Sequence, residues 1–289
     1  MIRQLTGTTS LEITSSDLIA CFSPEMGGRL LELRVVDGPH IFIPTKPHSF
    51  AVTSWPRAGA YPLVPYHNRL ENAQISVGGE TFLLEGHPAA PPHTLHGPGH
   101  TQPWTLVSHG ASELTMKLDY HADAHWSWPF EAIQSFCLDS GLFKLSVSLR
   151  NTGEKPMPGG LAWHPYFASA KSVSTDARYV WPHREDYLPT GECIELTDRP
   201  AAEALPTLYL QDWRKALVSC ADGYQAEVSA TSAFDCLIIH RGDPAHICVE
   251  PATHVPSAWN LPDDPEAVGA RILHPGEVLE GSIEIRISK

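Results

Sequence analysis

The chain has 289 residues, 42% of them hydrophobic and 18% charged, so it can bury a sizeable core in the manner of an ordinary globular protein. Its net charge of −13 offers no basic footprint for nucleic acid or an anionic membrane surface and leaves a small neutral ligand as the easiest partner to reconcile with the balance. The 26 prolines, nearly twice the ordinary ~5%, disfavour long helices and favour short elements joined by turns.

Taken in chain order, Met1 to Ser10 is polar and lacks a secretory apolar region. No apolar run approaches the ~20 residues that span a bilayer, so the expected address is the cytoplasm. Leu31, Leu33 and Val35 alternate with Glu32 and Arg34, followed by the turn pair Asp37-Gly38. Gly78-Gly79 lies between Gln74–Val77 and Thr81–Leu84 and predicts a hairpin. Leu114, Met116, Leu118 and Tyr120 alternate with polar residues, as do Phe143, Leu145, Val147 and Leu149, and finally Ile283, Ile285 and Ile287. Such period-two patterns are half-buried strands, because successive side chains of a strand point to opposite faces. Helical turns are expected only near Gln211–Ala216 and Pro265–Ala270. The strand pattern crosses the whole chain without a linker, predicting one large antiparallel β-sandwich domain over residues 1–289. Six scattered cysteines with no C-x-x-C pair read as reduced, mostly buried small hydrophobes.

Four polar groups sit in aromatic or proline-fixed surroundings: Arg69 in Tyr61-Pro-Leu-Val-Pro-Tyr-His-Asn-Arg69, His96 in His93-Thr-Leu-His96-Gly-Pro-Gly, His164 in Trp163-His164-Pro165-Tyr166-Phe167, and Glu250 in Cys248-Val249-Glu250-Pro251-Ala252-Thr253-His254. His164 follows the strand-like Gly160–Trp163. His96 lies in the proline-rich stretch Gly86–Pro103, read as an ordered functional loop. His93, His96 and His100 have a spacing that invites zinc. They lie in a Pro/Gly loop with no Cys or carboxylate in motif spacing, so no metal is expected, and His93 and His100 read as loop scaffolding or rim. His67 and His254 flank the motif residues as supports, while His183 and His246 read as surface. Trp126 and Trp128 are either packing or cleft wall.

Asn68-Arg69, Leu95-His96-Gly97, Trp163-His164-Pro165-Tyr166-Phe167 and Val249-Glu250-Pro251-Ala252-Thr253-His254 together resemble the aldose 1-epimerase (galactose mutarotase) family. The order and spacing match from Gly27-Gly28-Arg29 to Pro275-Gly276-Glu277. The resemblance implies a galactose-mutarotase-like β-supersandwich with its site in an open cleft, and interconversion of the α and β anomers of a free monosaccharide. It implies Glu250 as the base that draws the proton from the C1 hydroxyl and His164 as the acid that donates to the ring oxygen. His96, Arg69 and Asn68 would hold the sugar, with Trp163 and Tyr166, and also Trp55 and Trp259, as candidates for a stacking floor. The chemistry is sensible in its own right. Opening a cyclic hemiacetal removes one proton at O1 and delivers one at O5, the aldehyde rotates about C1–C2, and no cofactor is needed. A carboxylate and an imidazole suit both transfers.

The Asp that many family members use for sugar hydroxyls is missing from Leu205–Trp213. Asp212 is displaced and Asp186 belongs to another segment, so the galactose preference does not carry over. A hexose-6-phosphate mutarotase is one alternative and would need Arg29, Arg57 and Arg69 to converge on a dianion. A non-catalytic carbohydrate-binding protein is another, though it has no need of both an acid and a base. A glycoside-processing enzyme would normally use two carboxylates. Nothing in the pattern specifies an oligomer.

Overall fold

The strand Leu142–Asn151 shows why this sequence folds as sheets. Phe143, Leu145, Val147 and Leu149 are buried, while Lys144, Ser146 and Ser148 between them are part exposed. Each strand of this kind has one face to bury, and two such sheets bury their faces against each other. The computed structural model describes residues 10–46, 48, 50–197, 206–220, 222–244 and 246–289; the expectation for Met1 to Ser10 falls almost wholly outside them.

Two large sheets form, and their neighbouring strands pair antiparallel. The ten-stranded sheet runs, in spatial order, Leu11–Thr14, Leu18–Ser23, Arg29–Val35, Ala60–Leu63, Ala162–Ala168, His246–Ala252, Cys236–Asp243, Thr207–Gln211, Tyr179–Trp181, Ile194–Glu195. The eight-stranded sheet runs Ala170–Thr175, Lys215–Cys220, Gln225–Ala230, Val278–Ser288, Leu142–Asn151, Phe130–Asp139, Glu113–Tyr120, Thr105–His109. This is the expected antiparallel sandwich. The Gly78-Gly79 hairpin forms as a separate two-stranded ribbon, Gln74–Val77 against Glu80–Leu83.

The centre of the ten-stranded sheet is buried on both faces, and side-chain parity divides it. Trp163 and Phe167, Val249 and Ile247, Leu237 and Ile239, and Leu208 and Leu210 face the core between the sheets. Ala162 and Tyr166, Cys248 and Ala252, Cys236 and Ile238, and Tyr209 face the opposite side. That opposite side is not solvated like an ordinary outer face. Loops cover it and leave a cleft.

Three local readings are corrected. His164 does not follow a strand but is the third residue of Ala162–Ala168, all but the last residue of which are buried. Double burial erases the alternation that would have revealed it. Gln211–Ala216 is not helical: the strands Thr207–Gln211 and Lys215–Cys220 meet there across Asp212, whose φ is +54°. Pro265–Ala270 does turn, closed by Ala270 N–H donating to Pro265 O at 2.8 Å. Of the six thiols only Cys236 and Cys248 are buried, and Cys193 is exposed. Among the described residues no helix is long and apolar enough to cross a membrane.

Trp163 belongs to the core. Its ring stacks on Phe143 of the facing sheet (centroids 5.7 Å from Phe42 and 5.4 Å from Phe143). Trp163→Ala is therefore expected to lower stability by about 3–5 kcal/mol, the cost of emptying a large aromatic site. Urea unfolding followed by tryptophan-independent circular dichroism checks this; a loss under about 1 kcal/mol would place the ring elsewhere.

Candidate active site

The register of five strands sets one row of side chains across the cleft floor. Tyr61 pairs with His164, Glu250 with Ile238, and Ile238 with Tyr209. The pairs Ala162 with Ala252 and Tyr166 with Cys248 put His164 opposite Glu250. His164 Nε2 lies 3.3 Å from Glu250 Oε1, and both residues are more than nine-tenths buried. The adjoining row is Tyr166, Cys248, His240 and Thr207.

The cleft above these rows has a volume of about 720 Å³ and is lined by His164, Glu250, Tyr61, Tyr166, Tyr209 and His96 among others. One wall is built by the Pro/Gly loop, which lies along the segment carrying Arg69. His96 N–H donates to Asn68 O at 2.8 Å, and Gly97 N–H donates to Tyr66 O at 2.9 Å. Gly97 has to be glycine there, because a Cβ would collide with the Val64 carbonyl. His96 and Asn68 both take left-handed backbone conformations, φ +59° and +56°, an arrangement short polar residues tolerate best.

Hydrogen bonds fix how these groups present themselves. Asn68 N–H donates to His96 Nδ1 at 3.0 Å, so the neutral ring carries its proton on Nε2. Burial, then the neighbouring His164 and His100, hold His96 well below the usual imidazole range. The Asn68 side-chain oxygen accepts from Arg69 N–H (2.9 Å) and from Arg69 Nη1 (3.3 Å), while Asn68 Nδ2 donates to Tyr209 Oη at 3.3 Å. Arg69 lies over the Tyr187 ring at 4.6 Å. Trp55 Nε1 donates to Tyr61 Oη at 2.9 Å, and that hydroxyl pairs with Tyr166 Oη at 2.9 Å.

The two central groups have displaced proton affinities. Glu250 is pushed up to about 8 by burial. His164 is held well below its ordinary value by burial, then by the positive potential of His240, His100 and Arg29. Both displacements favour the uncharged pair, one proton shared between an acid and a base in contact. Such a pair can exchange a proton with one atom of a ligand while returning one to another.

Of the sequence-predicted site residues, Glu250, His164, His96, Arg69, Asn68 and Tyr166 converge on the cleft. Trp163 does not, since its odd parity sends it to the core. Trp55 lines the cleft, whereas Trp259 packs on His254 and donates to Arg271 O at 2.9 Å. Trp126 and Trp128 are packing, buried and 5.0 Å apart. His246 is not a surface residue: it lines the cleft against the Tyr166 ring at 5.0 Å. His67 and His254 support the floor, His67 Nε2–H donating to the His254 carbonyl at 2.7 Å. His93 is scaffolding as expected, its Nδ1 accepting from Asn72 N–H at 3.0 Å.

Reading the sequence missed Tyr61, Tyr187, Tyr209, His240 and Asp243 as cleft residues. Strand register is what brings His240 there: with Ile238 paired to Glu250, His240 shares its face two residues on. Asp186 and Asp212 stay outside the cleft, paired with Arg184 (3.2 Å) and Arg178 (2.9 Å). Among the described residues, the carboxylates lining the cleft are Glu250 and Asp243.

A family model described as aldose 1-epimerase matches residues 9–286. The chain belongs to the aldose 1-epimerase family. Among this family's relatives it is similar to the uncharacterised protein YphB of Escherichia coli K12, 25% identical over 251 residues that cover 80% of this chain and 84% of that protein. Its fold is that of a galactose mutarotase-like protein from Clostridium acetobutylicum (TM-score 0.86, 19% identity, 100% of this chain and 98% of the other). It is also that of a galactose 1-epimerase from Lactobacillus acidophilus NCFM (TM-score 0.74, 13% identity, 94% and 92%). The family and these folds agree with the antiparallel β-sandwich described above.

Proposed function

We propose that the chain is an aldose 1-epimerase that interconverts the anomers of a free, uncharged monosaccharide in the cytoplasm, acting as a single domain over residues 1–289 and using no cofactor. The observation that carries this reading is the buried pair His164 Nε2 and Glu250 Oε1, 3.3 Å apart on the cleft floor. The pair's one proton passes from Glu250 to His164 across their 3.3 Å contact as the sugar binds, so that Glu250 as carboxylate takes the O1 proton while His164 as imidazolium gives one to O5. The pair then stands as neutral acid and neutral imidazole, the state its burial favours, while the open aldehyde turns about C1–C2. Reclosure runs the two transfers backwards. His96 Nε2–H and the Arg69 guanidinium donate to sugar oxygens, Asn68 aims Arg69, and Tyr166 and Trp55 form the apolar side.

The phosphorylated-sugar reading is weaker. Arg29 is fully buried beneath Tyr61 and bonded to the carbonyls of Pro56 (3.1 Å) and Ala58 (2.8 Å). That leaves Arg57 and Arg69 in a cleft that also holds Asp243.

NMR magnetisation exchange between α and β anomeric protons, over a panel of free aldoses and hexose 6-phosphates, tests the reading. Enhanced exchange for a free aldose is expected; enhancement for the phosphates alone would overturn the uncharged substrate, and none at all would overturn the activity. The pH dependence is a second test. Turnover needs one proton on the pair, so kcat/KM is expected to fall about tenfold per pH unit above about 8, where Glu250 loses its proton. With His164 held low, the acid limb should lie well below 6.5. An alkaline profile flat to pH 10 would separate Glu250 from the chemistry.

A further inference from the structure

One residue next to the catalytic pair has no part in the mechanism above. Cys248 is buried two residues before Glu250 on the same strand face, directly across from Tyr166 and His240. His164, Cys248 and Glu250 each offer one ligand atom, and the three atoms lie within 4.8 Å of one another. Nitrogen, thiol sulfur and carboxylate oxygen together form a donor set suited to a borderline-soft divalent cation.

We infer that this triad is an inhibitory binding site for a thiophilic divalent metal ion such as Zn²⁺. Tetrahedral zinc with Zn–N of about 2.0–2.1 Å and Zn–O of about 2.0–2.2 Å separates those two ligand atoms by about 3.3–3.5 Å. The His164–Glu250 separation of 3.3 Å already has that value. The sulfur has to close by about 1.3 Å at most, from the 4.8 Å within which the three atoms lie, to reach its own ligand separation of about 3.5 Å. The cleft supplies the fourth, open position. Charge closes as well: the ion replaces the Cys248 thiol proton and the single proton of the His164–Glu250 pair. Both protons go to solvent, and a 2+ ion is left with one thiolate and one carboxylate. That neutral cluster suits a buried site, and it occupies both groups that move protons in catalysis.

The inhibitory half rests on the acid–base role proposed for the pair; the binding half does not. The test therefore reads them separately. The full chain, stripped with a chelator, is titrated with Co²⁺ as a spectroscopic probe, in parallel with Cys248→Ser. A thiolate-to-cobalt charge-transfer band in the near ultraviolet is expected in the parent and absent in Cys248→Ser, with Zn²⁺ displacing it. In the exchange assay Zn²⁺ should abolish turnover reversibly. Cys248→Ser should keep basal turnover and raise the Zn²⁺ concentration for half-inhibition by more than about tenfold, the loss that even outer-shell changes inflict. A missing band in the parent, an equal band in Cys248→Ser, or full turnover with the metal bound would each overturn the inference. Absence of turnover in the metal-free chain would overturn the mutarotase reading while the cobalt spectrum still decided the site.

Discussion

Replacing Glu250 with Gln is expected to cut catalysed anomer exchange by about 10²–10⁴-fold, the range one positioned acid–base group contributes. The substitution keeps the size and hydrogen-bonding shape of a side chain that pairs across the sheet with Ile238 and lies beside His164, so the fold should persist. His164→Asn should lose a comparable amount, because the two groups pass one proton between O1 and O5. The double variant should then lose little beyond either single one, as residues acting as a unit are strongly non-additive. The uncatalysed reaction sets a floor, so the comparison is made as the enzyme-dependent increment in NMR exchange rate, with circular dichroism confirming the fold. Multiplying single-variant losses in the double variant, or near-parental exchange in Glu250→Gln, would break the assignment of the pair.

The legible parts of this molecule are those where one side of a strand meets water. Leu142–Asn151 and Glu113–Tyr120 declare themselves because Lys144 or Thr115 must stay outside while Leu145 or Met116 goes in. Ala162–Ala168 and His246–Ala252 are covered on both faces, so composition alone gives no parity. That is why the sequence offers Trp163 as well as His164 to the cleft, while the strand's parity admits only His164 of the two. Glu250, His164, His96 and Arg69 were legible as candidates because they stand in the proline-, glycine- and aromatic-rich motifs that resemble the aldose 1-epimerase family. His240, Tyr209 and Tyr187 were not, because nothing local marks them. They reach the cleft through strand register across tens of residues, as Thr207–Gln211 pairs with Cys236–Asp243. Tyr187 arrives by a left-handed backbone at φ +65°, its carbonyl accepting from Tyr209 Oη at 2.8 Å.

The Glu250 carboxyl should also be a stability cost that grows with pH. Its proton affinity rises from an ordinary 4.5 to about 8 on folding, because burial disfavours the charged form. Between those values the folded chain keeps a proton that the unfolded chain has released. Stability therefore falls as pH rises through this window and levels off above about 8. The full displacement corresponds to an upper bound of about 5 kcal/mol at about 1.4 kcal/mol per pH unit. Glu250→Gln is neutral at every pH and escapes the cost, so it should be nearly as stable as the parent at pH 5 and more stable by several kcal/mol at pH 9. Urea midpoints for the two chains at pH 5, 7 and 9 measure the difference. A gap that stays constant across the three would mean the carboxyl is ionised throughout, and the neutral resting pair would have to be abandoned. A gap that opens with pH, in the variant that has lost turnover, would show the active site holding its acid at the expense of the fold.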